Sequence, residues 1–247
     1  MSIPYIPTAP TRSNLLKNDY VQATLIALGI TSLTYVFAYA VGWVSGPPNW
    51  LEVSAAGINY ACTFLSIRQR RAFYLLGVVA SALYAVLYFQ SDLLASAVLS
   101  FYLTFSLFYG YFRWGKDSKT RPVHHIKGWW WLAYIAVTAA FYGGAVLTVT
   151  LLKGSFAPMD AAILVLTILA QFMLDNKVIE TWAVWTLVNI VGTITYFQSG
   201  LYFAAVQQVI FGVANLWGYL AWRKSMQAQI PAEPKFYDPM GNRKAGR

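Results

Sequence analysis

Eight long apolar runs dominate this sequence and constrain its fold more than any other feature. They cover roughly residues 21–45, 50–67, 72–90, 93–113, 129–152, 158–175, 180–198 and 201–222. Each run approaches the ~20 helical residues needed to cross a hydrocarbon core of ~30 Å. Only 11% of the residues are charged, against roughly 25% in an ordinary soluble domain. The sequence therefore predicts an all-α polytopic protein with eight transmembrane helices in a lipid bilayer.

Other classes of protein fit the sequence poorly. Strands of a membrane barrel alternate apolar and polar residues over ~10 positions, whereas the run VVASALYAVLYF is apolar on every side. The single cysteine, Cys62, excludes a disulfide scaffold. The motifs G-x-S-x-G and H-E-x-x-H and a P-loop are absent from the sequence, and the adjacent His124 and His125 do not share a face. We therefore predict no enzyme activity, no metal and no cofactor.

The basic residues predict the orientation of the chain in the membrane. With eight spans, every Lys and Arg except Lys153 lies on the same side as both termini. Because positive loops stay in the cytoplasm, both termini are predicted to be cytoplasmic. The net charge of +9 is then a topology signal, and we expect no nucleic-acid partner.

The chain contains an internal repeat with an offset of 108 residues. The string YFQS occurs at 88–91 and again at 196–199, and 11 of the 29 positions from 88 to 116 are identical to their counterparts. Helices 2–3–4 therefore repeat as helices 6–7–8. Because one helix separates the triplets, they enter the membrane in the same direction, as parallel repeats do in some transporters. The predicted organisation is an N-terminal tail 1–20, an extra helix 21–45, a three-helix bundle 50–114, a linker helix 129–152, a second bundle 158–222 and a basic, disordered or loosely docked tail 223–247.

Helix 7 carries one aromatic and polar stripe. At 100° per residue, Trp182, Trp185 and Asn189 fall on one side, followed by Thr193 and Tyr196. The opposite side, which includes Val188, is aliphatic. A buried Asn in a membrane span is costly unless it has partners, so we interpret Asn189 as functional. An interfacial aromatic belt is the alternative role for Trp182 and Trp185.

Further amides are candidates for the same site between the triplets. They are Gln171 on helix 6 and Gln208 and Asn215 on helix 8. Asn59 and Thr63 on helix 2 are weaker candidates, because small polar residues often hold helices together. No ionisable residue lies deep in a span, so neither proton coupling nor a phosphorylated substrate is indicated. The pattern favours a carrier of a neutral or cationic aromatic solute, since Trp faces attract cations.

The repeat region of the chain resembles the PnuC family of bacterial vitamin transporters. The resemblance covers about 50–225 and is strongest in the segments QF at 171–172, ETWAVWTLVN at 180–189, YFQSGLYFAA at 196–205 and GYLAW at 218–222. The W-x-x-W-x-x-x-N pattern carries most of its specificity. By this resemblance Trp182, Trp185 and Asn189 contact substrate, with Gln171, Gln208 and Asn215 as further candidates.

The same resemblance implies a fold and an activity. It implies a relative of the SWEET sugar carriers, with helices in a three-plus-one-plus-three arrangement. It also implies a location in the bacterial cytoplasmic membrane and a homo-oligomer, which in this family is a trimer. The implied substrate is nicotinamide riboside, which enters by facilitated diffusion and is trapped inside by phosphorylation. Riboflavin, thiamine or a sugar on the same scaffold remain alternatives, because the residues alone indicate only an uncharged or cationic aromatic solute.

Overall fold

The structure is a computed structural model that describes residues 17–44, 46–47, 49–90, 94–115, 122–151, 157–198, 200 and 202–228. Within these residues the chain forms eight α-helices and no β-strand longer than an isolated bridge. The helices are α1 Asp19–Ala40, α2 Trp50–Ile67, α3 Ala72–Gln90, α4 Leu94–Trp114, α5 Trp130–Leu151, α6 Ala157–Asp175, α7 Thr181–Gln198 and α8 Tyr202–Ala228. This confirms the predicted all-α class with eight helices.

Capping residues explain where the first two helices begin, and a glycine explains where the first one ends. Asn18 and Asn49 precede α1 and α2, and their side chains accept hydrogen bonds from backbone N–H groups of the first turn. The first helix ends at Ala40 and not at residue 45 as predicted. The apolar run continues past Ala40, but Gly42 adopts a φ of +74° and the chain turns there.

The last helix is longer than the sequence predicted. It continues to Ala228, whereas residues after Trp222 were expected to be disordered or loosely docked. Met226 packs against the hydrophobic core, and the Ser225 hydroxyl accepts a hydrogen bond of 3.1 Å from Gln69 Nε2. These contacts extend the helix by more than a turn. The rest of the predicted tail, 229–247, and most of the predicted N-terminal tail lie outside the described residues.

The helices pack mainly on their neighbours in the chain. Within each triplet, α3 packs on α2 and α4, and α7 packs on α6 and α8. Between the triplets, α2 packs on α8 and α4 on α6. The first helix lies against α2 and α8, and α5 lies against α6. Each triplet thus contributes its first and last helix to the junction, while the division into two independent bundles remains a prediction.

Equivalent tryptophans at the junction make equivalent hydrogen bonds. Trp114 Nε1 donates to the backbone oxygen of Leu174 at 3.3 Å, and Trp222 Nε1 donates to that of Ser66 at 3.2 Å. Both the donors and the acceptors are 108 residues apart in the sequence. Each bond joins one triplet to the other, so each triplet contributes one tryptophan that stabilises the junction.

Two charged residues near the end of α6 are buried, although residues beside the end of a membrane span are usually hydrated. Lys177 is 0% exposed and Asp175 is 1% exposed. Lys177 Nζ donates to Gln69 Oε1 at 2.9 Å and lies 4.6 Å from the Trp114 ring centroid. Gln69 and Lys177 are equivalent in the repeat and adopt nearly the same left-handed conformation, with φ of 55° and 56°. The connections after α2 and α6 therefore pack against each other and shield this lysine.

Large apolar side chains cover the outside of the helices. Three of the described helical segments, Asp19–Ala40, Trp130–Thr148 and Tyr202–Ala228, are long and apolar enough to cross a membrane by themselves. Exposed Leu, Phe, Val and Trp side chains occur on all eight helices. Such a surface suits a lipid bilayer and not water.

Candidate substrate site

A cavity of about 280 Å³ lies between the two triplets. This volume is near the lower end of the ~300–1,000 Å³ typical of small-molecule sites. Its walls come from α2, α3, α4, α6, α7 and α8. All six predicted site residues lie in these walls: Gln171, Trp182, Trp185, Asn189, Gln208 and Asn215. The structure thus brings the predicted residues together, while their contact with substrate stays a prediction.

The face of α7 towards the cavity is slightly rotated from the predicted stripe. Trp182, Trp185, Asn189 and Tyr196 line the cavity as expected. Val188 also lines it, although it was assigned to the aliphatic side. Thr193 is not among the lining residues, and its hydroxyl donates to the backbone oxygen of Asn189 at 2.7 Å. The cavity wall therefore centres on the 185–189 turn.

Trp182 is a buried residue and not part of an interfacial belt. It is 2% exposed, and its ring meets the ring of Trp222 edge to face at a centroid distance of 5.3 Å. Its six-membered ring lies so close to Gly218 that an added Cβ there would sit 2.5 Å from it. Trp182 Nε1 has no hydrogen-bond partner among the described residues. Trp182 therefore packs in the core, and its indole N–H is a buried donor without a partner among the described residues.

Trp185 and Asn189 are the α7 side chains most available to a ligand. Trp185 is partly exposed to the cavity and makes no ring contact with any described residue. Asn189 is buried at 6% exposure, and its amide has no bonding partner in the described part of the chain. An indole face with an amide one turn further along can stack on a flat ring and bond its substituent.

Gln171 is held by a buried polar network at one end of the cavity. Its Nε2 donates to Asp175 Oδ1 at 2.8 Å, and the Tyr74 hydroxyl donates to the same oxygen at 2.8 Å. A side chain at Gly110 would overlap both Tyr74 and Asp175, so the glycine makes room for this arrangement. Tyr74 and Gly110 belong to the first triplet and Asp175 to the second, so the network crosses the junction.

Helix α8 supplies amides to the opposite wall. Asn215 is buried at the cavity, and its Nδ2 has no acceptor among the described residues. Gln208 packs against Gly192 of α7, where an added Cβ would lie 3.2 Å from its side chain. Gln207 Nε2 donates to the Tyr84 hydroxyl across the triplets at 3.5 Å. The α8 wall therefore carries three amide side chains, and one of them has an unsatisfied donor.

The first half contributes residues that sequence reasoning largely missed. Asn59 and Thr63 line the cavity, as do Ser81 and Gly77, the counterparts of Asn189 and Trp185. Tyr84 and Ser100 of the first half and Thr167 of the second were not considered, and Gln207 was noted on helix 8 but not chosen as a site residue. The repeat gives a signal for Tyr84, because it lies one turn beyond Ser81 on the same helix face. No comparable signal was available for Ser100 or Thr167.

The described residues that line the cavity include no Lys, Arg, His, Asp or Glu. The polar groups of its lining side chains are amides, hydroxyls, two indole N–H groups and the Cys62 thiol. Such a site can bind a flat ring with hydrogen-bonding substituents, but it offers no cation to neutralise a phosphate.

Comparison with known proteins places the chain in a family. Residues 49–224 match a family model described as "Nicotinamide mononucleotide transporter". The chain belongs to this family. The match covers both triplets and the linker helix and leaves α1 outside it. The protein is therefore a membrane transporter rather than an enzyme, and the sequence-based resemblance to PnuC proteins is confirmed.

Curated relatives of this chain are named as transporters of two different vitamins. The "Nicotinamide riboside transporter PnuC" of Escherichia coli (strain K12) is 21% identical over 72% of this chain and 86% of its own length. The protein of the same name from Haemophilus influenzae is 25% identical over 85% of this chain and 95% of its own length. The "Riboflavin/roseoflavin transporter RibM" of Streptomyces davaonensis is 32% identical, but over only 46% of this chain and 57% of its own length.

A solved structure in the same family has the same fold. The "Crystal structure of the Vitamin B3 transporter PnuC" superposes with a TM-score of 0.66 at 22% identity. The match covers 85% of this chain and 92% of the other. The agreement extends over nearly all of that protein and supports the all-helical architecture.

Proposed function

We propose that this protein carries nicotinamide riboside across the bacterial inner membrane. The observation that carries the proposal is the cavity between the triplets, with its indole, amide and hydroxyl walls. Nicotinamide riboside has a cationic pyridinium ring for the Trp185 face, a carboxamide for the amides and ribose hydroxyls for further polar groups. The names of the E. coli and H. influenzae relatives support the same substrate.

The composition of the cavity favours the riboside over the mononucleotide of the family's name. The mononucleotide adds a phosphate, and phosphate sites in proteins commonly use Arg, Lys or a helix N-terminus. None of the described lining residues is Arg or Lys. A dianionic phosphate in this cavity would lose its hydration without gaining a cation, so we expect the mononucleotide to bind much more weakly.

Riboflavin is the second candidate substrate. The riboflavin transporter relative has the highest identity of the three named, although the similarity covers little more than half of it. The flavin ring system is neutral and larger than a pyridinium, whereas the cavity volume of about 280 Å³ is near the low end for ligand sites. Thiamine and sugars are weaker candidates.

Transport is proposed to be facilitated diffusion by alternating access, with phosphorylation in the cytoplasm trapping the product. The absence of ionisable side chains from the described cavity walls supports uniport, because coupled carriers usually place such groups near the substrate. Rocking of one triplet against the other would open the cavity to each side in turn. Cytoplasmic termini and a trimeric assembly are part of the same proposal.

Uptake into proteoliposomes tests the substrate and the mode of transport together. The full-length protein is reconstituted, and labelled nicotinamide riboside, its mononucleotide, riboflavin and thiamine are supplied separately. We expect saturable uptake of nicotinamide riboside that stops at equal concentrations and is unchanged by imposed proton or sodium gradients. Uptake of another vitamin without the riboside would reject the substrate, and accumulation driven by a gradient would reject uniport.

A further inference from the structure

The Asp175 carboxylate is hydrogen-bonded to the cavity wall, and the transport proposal does not use it. It lies at the end of α6, is 1% exposed and is not itself a lining residue. Its Oδ1 receives two hydrogen bonds, one from Tyr74 Oη and one from Gln171 Nε2, both of 2.8 Å. Only Gln171 among these three side chains reaches the cavity wall. Asp175 therefore contacts the cavity wall through Gln171.

The chemistry of a carboxylate fixes which way the Gln171 amide faces. A carboxylate only accepts hydrogen bonds, so the NH₂ group of Gln171 must be the end that points to Asp175. Gln171 Oε1 has no hydrogen-bond partner among the described residues, while its side chain lines the cavity. A glutamine without such an anchor could turn its amide over and present either group. Here the cavity is offered a carbonyl oxygen, which is an acceptor.

Two side chains that line the cavity also carry buried donors without a partner in the described part of the chain. They are Trp182 Nε1 and Asn215 Nδ2. A buried polar atom costs free energy unless a ligand or water satisfies it. One fixed acceptor and these two unsatisfied donors together match a primary carboxamide, which has an NH₂ group and a carbonyl oxygen. A carboxylate in the same position would satisfy the donors but would face the Gln171 oxygen with another acceptor.

We propose that Asp175 is a positioning residue that locks Gln171 as an acceptor and thereby makes the carrier select a carboxamide over a carboxylate. This inference rests on the proposed function, because it assigns the specificity of the same site. The rigid setting supports it. Tyr74 is stacked on Phe73 at 3.9 Å between ring centroids and meets Trp114 edge to face at 5.3 Å. The α4 backbone at Gly110 packs so closely against Tyr74 and Asp175 that even an added Cβ would overlap them.

Nicotinamide riboside and nicotinic acid riboside provide a direct test, because they differ only in carboxamide against carboxylate. Their Kd values are measured on the purified full-length protein. We expect the wild type to bind the carboxamide at least about tenfold more tightly. Asp175→Leu, which fills similar space without an acceptor, is expected to reduce that ratio about fivefold or more. Asp175→Asn retains an oxygen at the same position and is expected to keep the ratio within about twofold.

Double variants separate positioning from general damage. If Asp175 acts through Gln171, Asp175→Leu has no additional effect on the ratio in a Gln171→Leu background. Tyr74→Phe removes the tyrosine's hydrogen bond to Asp175 Oδ1 and is expected to lower the melting temperature while leaving the ratio unchanged. If Asp175→Leu does not fold, Asp175→Ala takes its place. The ratio of the two Kd values is then compared with and without Gln171→Leu.

The possible results separate this inference from the proposed function. A wild type that binds neither riboside would reject the substrate, and the inference with it. A wild type that binds nicotinamide riboside, with a ratio that Asp175→Leu and Asp175→Ala leave unchanged, would overturn only the positioning role. An equal change of the ratio with and without Gln171 would also overturn it, because Asp175 would then act by another route.

Discussion

Gly110 offers the sharpest test of how the two triplets are packed. An alanine Cβ at this position would overlap the Tyr74 ring and Asp175 Oδ1. Neither neighbour can withdraw easily, because the tyrosine ring is fully buried between aromatic rings and the carboxylate oxygen holds two hydrogen bonds. Gly110→Ala must therefore displace a helix or break the network.

The size of the effect follows from two opposing terms. Inserting a methyl group into a well-packed core costs about 1–3 kcal/mol. Replacing a helical glycine by alanine returns up to about 1 kcal/mol of helix propensity. We expect a net loss of about 1–2 kcal/mol, which lowers the melting temperature by roughly 2–8 °C for a chain of this size.

A second glycine provides the matched control. Gly143 lies in α5, and nothing lies within 4 Å of a Cβ added there. Gly143→Ala should leave stability unchanged or raise it slightly. Thermal unfolding of both variants in the same detergent, followed by tryptophan fluorescence, measures the difference. If Gly110→Ala unfolds at the same temperature as Gly143→Ala, the close packing of α4 on Tyr74 and Asp175 is incorrect.

Further predictions concern the cavity and the buried lysine. Gly218→Ala should also destabilise the fold and should weaken binding of nicotinamide riboside as well, because the ring it displaces belongs to Trp182, which lines the cavity. Asn189→Ala should raise the Kd for nicotinamide riboside, measured by calorimetry, about 5- to 150-fold. This corresponds to the ~1–3 kcal/mol of a lost or orphaned hydrogen bond. Ile190→Ala is the control and should leave the Kd unchanged, because its side chain is 52% exposed on the outer face. Trp185→Ala should cost at least as much as Asn189→Ala, because it removes stacking area; wild-type affinity in both folded variants would reduce the α7 stripe to packing. Lys177→Met should lower the free energy of unfolding by about 1.5–3 kcal/mol through loss of the charged hydrogen bond to Gln69, and an unchanged unfolding midpoint in denaturant would contradict that.

Hydropathy and the repeat were enough to predict the helices and the location of the cavity between the triplets. Six of the eight helices begin and end within one residue of the predicted runs, because continuous apolar segments leave little choice of boundary. The exceptions are α1, which Gly42 ends early, and α8, which Ser225 and Met226 extend. Helical periodicity also found most of the residues of α7 and α8 that line the cavity, although it missed Val188 and Gln207 and wrongly included Thr193.

Burial of charge could not be predicted in the same way. Lys177 and Asp175 stand next to a span end, where residues are usually hydrated, and nothing local distinguishes them from solvated loop residues. Their partners Gln69 and Tyr74 lie more than 100 residues away in the sequence, so only the packed triplets reveal the contacts. The same limit hid the close approach of Trp182 to Gly218.

A structure of the protein with bound nicotinamide riboside would test the central claim most directly. The account predicts ligand density in the cavity between the triplets, with the pyridinium ring against Trp185 and the carboxamide within hydrogen-bond distance of Gln171 Oε1. Density at another place on the molecule, or a charged side chain in contact with the ligand in that cavity, would contradict it.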